Sequence, residues 1–115
     1  MDKYIDIADK IGTPNAITQE LGEIIYKEIY EALINKNTLC LDFSNVESMI
    51  SPFLNAAIGK LYKDFTGEQI SKYLKMQNFP STKNSTLNVV ISNAKKYYKN
   101  QTDYEKVVKE VLNDE

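Results

Sequence analysis

Apolar positions in the chain alternate between two periods, and the alternation predicts the elements. Residues 3–7 alternate, with Ile5 and Ile7 on one face and Tyr4 and Asp6 on the other, which reads as a half-buried strand. Gly12-Thr13-Pro14-Asn15 is a turn cluster. Ile17, Leu21, Ile24, Ile25, Ile29, Ala32 and Leu33 then step by three and four along one helical stripe. That helix starts at either Thr13 or Thr18, both good caps, and Asn35-Lys36-Asn37 ends it. Residues 38–43 return to a strand pattern. Leu39, Leu41 and Phe43 share one face and Cys40 lies on the other, predicting an interior strand covered on both sides.

Residues 44–50 form a connection in which Val46 and Met49 dip into the core. Ser51-Pro52 predicts a helix start: serine is a preferred N-cap worth about 1 kcal/mol, and proline suits the first helical position. Leu54, Ala57, Ile58, Leu61 and Phe65 give the buried stripe of this helix, with Ala56, Ala57 and Gly59 keeping it slim and Gly67 stopping it. Residues 67–72 have room for one helical turn, 73–77 alternate as a strand, and Asn78-Phe79-Pro80 ends it. From about Thr82 a long helix runs through Leu87, Val90, Ile91, Ala94, Tyr97 and Tyr98, with Lys95, Lys96 and Lys99 complementing the dipole in its last turns. Thr102 to Glu105 is a capping-box pattern opening a further short helix. The order strand, helix, strand, helix, strand, helix, helix implies an α/β domain with parallel pairing through helical crossovers. Residues 1–100 form the domain, and 101–115 its C-terminal helix or tail.

Composition narrows the chemistry. At 115 residues, 43% hydrophobic and 26% charged, with a net charge of −2, the chain reads as one soluble domain with no bias toward a polyanion. Every basic residue is lysine, and the missing guanidinium fork counts against sequence-specific nucleic-acid binding. With no histidine and only Cys40, a Cys/His zinc site, an internal disulfide and a Ser-His-Asp or Cys-His set are excluded within the chain. No segment approaches the roughly 20 apolar residues of a membrane span, and residues 1–15 lack the apolar run of a signal peptide. The cytoplasm is the expected compartment, and no cofactor or metal is expected. Asp42, unusual in an apolar strand, is read as accepting N–H bonds in the following connection.

At Leu41-Asp42-Phe43 and Ser51-Pro52-Phe53-Leu54 the chain resembles the STAS superfamily, and more closely the STAS-like group of unknown function found as small bacterial proteins or fused to ATPase modules. The resemblance extends over residues 5–99. It implies a small mixed or mostly parallel sheet of about four strands covered by helices, with a C-terminal helix added. Laid on the Asp-Ser-Ser-Gly-Leu segment of anti-sigma factor antagonists, the aspartate falls on Ile50 and the serines on Ser51 and Pro52. Their phosphorylated residue is the second serine, so Pro52 removes the acceptor and leaves Ser51 as the neighbouring candidate for phosphorylation.

The expected function is a non-catalytic regulatory module docking a protein partner, such as a kinase-like ATPase, through Asp42, Ser44, Asn45, Glu47, Ser48, Ser51, Pro52 and Asn55. Self-association is a further option. A small-molecule or nucleotide sensor using the helix start at Ser51 as an anion site is the alternative, weakened by the lack of a Gly-rich loop. An enzyme pairing Asp42 with a lysine or tyrosine stands near background.

Overall fold

The computed structural model describes the backbone of residues 2–113 and the side chains as far as Tyr98. In chain order the elements are β1 (Lys3–Asp6), α1 (Ile7–Ile11), β2 (Asn15–Ala16), α2 (Gln19–Ile34), β3 (Leu39–Asp42), β4 (Ser48–Met49), α3 (Ser51–Ala57), α4 (Gly67–Tyr73), β5 (Leu74–Gln77) and α5 (Asn84–Asn113). Short 3-10 turns span Gly59–Lys63 and Ser81–Lys83.

β1, β3 and β5 form a parallel sheet in that order, pairing Ile5 with Leu41 and Leu41 with Met76. The expected small parallel sheet with helical crossovers is present. The strands fall into two sheets, however, because β2 and β4 pair separately through Asn15↔Ser48 and Ala16↔Met49. Right-handed crossovers between strands that always advance in one direction put every connecting helix on the same face. Ile5, Leu39 and Leu41 are buried on that face, against a core that includes Ile25 and Ile29 of α2. The opposite face carries Tyr4, which is 57% exposed, half-buried Cys40, and exposed Lys75 and Gln77. The expectation that β3 is covered on both sides is therefore wrong: the sheet is wound in one direction only, and helices cover one face.

α2 and α3 form the second layer, and they meet where Gly22 lies under Ala56 and the backbone of Phe53. α5 packs outside α3, with Val90 and Ala94 against Gly59. Ala56 and Ala57 of α3 thus meet α2 closely, and Gly59 in the 3-10 turn after α3 meets α5.

Local boundaries differ from expectation for identifiable reasons. β1 stops at Asp6, whose carboxylate caps α1 by accepting from Asp9 N at 3.1 Å. Thr18, not Thr13, caps α2 through Leu21 N at 3.1 Å. The end of α2 places Lys36 at φ 56, with Asn37 N donating to Ala32 O at 2.9 Å. α3 ends at Ala57 instead of passing Lys60. Gly67 opens α4 behind a Thr66–Gln69 capping box, and Tyr73 closes that helix instead of starting β5. α5 runs unbroken past Thr102, so the two expected helices are one, and Lys95 and Lys96 lie in its middle where no dipole end explains them. Lys95 Nζ instead sits 5.7 Å from the centroid of the Tyr62 ring.

Candidate functional site

β3 delivers Asp42 at its C-terminal end, where the residue is only 7% exposed. Oδ1 accepts from Ser44 N at 3.0 Å and from Asn78 Nδ2 at 3.0 Å, while Oδ2 accepts from Ser44 Oγ at 3.1 Å and from the Tyr4 hydroxyl. The Ser44 N–H bond is the turn-capping role anticipated for an aspartate there. Asn78 is held in the left-handed region, φ 58, with its side chain turned to Asp42. One carboxylate therefore ties the chain leaving β3 to the chain leaving β5 and to β1. Hydrogen bonds from Asn78, Tyr4 and Ser44 hold Asp42 well below the usual carboxylate range. The bond to Asp42, with burial and its negative charge, pushes the Tyr4 phenol up to about 12.

The remaining candidates occupy the connection and α3. Asn45 donates to Asp6 Oδ2 at 2.7 Å. Exposed Glu47 is held by its backbone, whose N–H donates to Pro14 O at 2.7 Å, and Ser48 Oγ donates to Asn15 Oδ1 at 2.8 Å. Ile50 N donates to Ala16 O at 3.2 Å and closes the Ala16↔Met49 pair, so Ile50 and Ile17 follow directly after the two strands. They are 45% and 42% exposed.

Ser51 does not cap α3. Ile50 occupies the cap position, with extended backbone and no side-chain cap bond. Its carbonyl already accepts from Phe53 N at 3.2 Å and Leu54 N at 3.4 Å, the donors a Ser51 cap would need. The serine is left exposed at the first helical position, with Pro52 next to it.

Pro52 and Asn55 border an open groove of about 570 Å³. Gln19 of α2, Gly59, Lys60, and Asn93 and Tyr97 of α5 line it with them. The predicted residues thus separate into two groups. Asp42, Ser44 and Asn45 gather with Tyr4, Asp6 and Asn78 at the end of the main sheet, whereas Pro52 and Asn55 join a groove built with α5. Sequence reading missed Tyr4, Asn78, Gln19 and Asn93. For Tyr4 the signal was available, since its strand position puts it on the same face as Asp42.

The model of the STAS-like domain of unknown function matches residues 22–83, just over half of the chain. The chain belongs to that family. The match spans α2 through the 3-10 turn after β5, and so takes in the Asp42 end of β3 and the whole of α3. No curated protein and no solved structure matches it. Among the described residues, no helix of this STAS-like domain is long and apolar enough to cross a membrane.

Proposed function

We propose that this STAS-like domain is a non-catalytic regulatory or protein-interaction module that docks a partner through the junction around residues 44–55. A kinase-like ATPase or another regulator is the partner class that the family resemblance favours. The observation that carries the reading is Ile50, a large apolar side chain left 45% exposed at the start of α3 directly before exposed Ser51 and Pro52. An exposed apolar side chain framed by polar neighbours suits the apolar centre and polar rim of a docking surface.

Three features argue against the other readings. Asp42 has both oxygens engaged by four intramolecular donors, which leaves no lone pair placed for a substrate proton. An anion site at the start of α3 competes with the Ile50 carbonyl for the same N–H groups. A sheet wound in one direction also lacks the strand-order reversal where α/β proteins commonly place a ligand crevice.

Co-purification from the native host tests the proposal with tagged parent, Ile50→Glu and Ile34→Glu chains. Ile34 is 56% exposed at the far end of α2 and serves as control. The parent and Ile34→Glu should retain a partner that Ile50→Glu loses. Equal recovery by all three would contradict the proposal.

A further inference from the structure

α5 carries a seven-residue repeat from Leu87 to Val111. Leu87, Ala94, Gln101 and Val108 recur at one position of it and Val90, Tyr97, Tyr104 and Val111 at another, so the steps alternate between three and four. The seam begins on the body of the domain. Val90 and Ala94 lie against Gly59 and are 3% and 8% exposed. Tyr97 is the next member, and it is 60% exposed. Burial of the seam therefore stops at Ala94 among the described side chains, while the helical backbone continues to Asn113.

At 1.5 Å per residue the 30-residue helix spans about 45 Å. That exceeds the 30 and 22 Å short axes of the molecule, so α5 lies along the 57 Å one. A straight helix cannot lay its second half on its first. Whatever covers Tyr97 and the seam after it is thus not α5 of the same copy.

The charges along α5 name a cover that fits. Residues 84–99 hold three lysines and no acidic residue, whereas 103–115 hold five acidic residues and two lysines. Lys95 and Lys96 are exposed in the middle of the helix, away from either dipole end. Two α5 helices placed antiparallel lay the acidic end of each copy along the lysine-bearing middle of the other. A parallel pair would set like charge on like. The antiparallel register that puts Tyr97 opposite Val108 also puts Gln101 opposite Tyr104, so the one amide of the seam meets a hydroxyl.

We infer that α5 pairs antiparallel with α5 of a second copy of this chain, through the part of the seam that runs on from Tyr97. Such a pair is two-fold symmetric and closes as a dimer. The inference goes beyond the junction reading and does not rest on it.

Sedimentation equilibrium of the full chain tests it, with concentrations up to about 1 mM, where even a weak specific pair registers. The parent should be dimeric at the upper end of the series. Val108→Glu puts a carboxylate into the seam and should raise the dissociation constant about a hundredfold. Ile50→Glu, at the junction, should leave the dimer intact, and circular dichroism checks that each variant folds. Disulfide capture in a Cys40→Ser background reads the orientation. A mixture of Tyr97→Cys and Val108→Cys chains should give mainly the mixed disulfide. The inference is overturned if the parent stays monomeric throughout, if the dimer survives Val108→Glu, or if Ile50→Glu dissociates it. It is equally overturned if each cysteine chain joins only its own kind, the result a parallel pair gives.

Discussion

Gly22→Ala tests whether the α2–α3 contact sets the position of the candidate site. In an isolated helix the change favours folding by about 1 kcal/mol, because alanine is the better helix former. Here an added Cβ would lie 2.4 Å from Phe53 O, 2.8 Å from Ala56 Cβ and 3.2 Å from Ala57 N. Two of these are backbone atoms and no rotamer relieves them, so α3 must back away from α2 by roughly 1 Å. Overpacking of this kind costs about 3 kcal/mol, leaving a net loss of about 2 kcal/mol and a fall in Tm of roughly 8 °C. Thermal denaturation followed by circular dichroism reads the shift, and 15N spectra should show Phe53 to Ala57 displaced with it. A Tm equal to or above the parent's would refute the close crossing at Gly22, and with it the placement of Pro52 and Asn55.

Other expected outcomes follow from the caps, a strained turn and the carboxylate network. Ser51→Ala should change stability by less than about 0.5 kcal/mol, whereas Thr18→Ala and Thr66→Ala should each lose about 1 kcal/mol in denaturant melts, since only the latter two make cap bonds. Lys36→Gly should raise stability by up to about 1 kcal/mol in the same assay, because φ 56 suits glycine. Tyr4 should titrate near 12 by NMR of its ring carbon and move down toward about 10 in Asp42→Asn. On the acid side, Asp42 is held low by Asn78, Tyr4 and Ser44, and Glu28 by Lys3 and Lys10. Their contribution is complete above the unfolded value near pH 4 and drains away as pH falls below it. An acid melt of Asp42→Asn should therefore be flatter than the parent's below about pH 4.

The parts of the fold legible in the sequence were those with a period long enough to read. α2 declares itself through six apolar positions over its 16 residues, and β3 through its run into Phe43. The two-residue strands β2 and β4 have no period, and their pairing of Asn15 with Ser48 depends on chain far apart in sequence. The Ser51 cap failed because the competing acceptor was a backbone carbonyl, which carries no residue signature. The uncovered sheet face was misjudged from β3 alone. Tyr4 and Asp6 in β1, with Lys75 and Gln77 in β5, alternate with apolar neighbours and mark that face as polar. Asp42 lies on this polar face at the C-terminal end of the central strand, so its presence in an apolar strand needs no catalytic explanation. The groove was illegible because one wall comes from α5, and no local pattern connects Asn93 to Asn55.

The docking claim is met most directly by site-specific photo-crosslinking in native lysate. A photoreactive residue replaces Ile50 or Asn55, and parallel chains carry it at Ile34 or Met76, which are exposed on other surfaces. The account predicts one discrete adduct, shared by positions 50 and 55 and missing from 34 and 76. An adduct formed from Ile34 or Met76 but from neither junction position would contradict it.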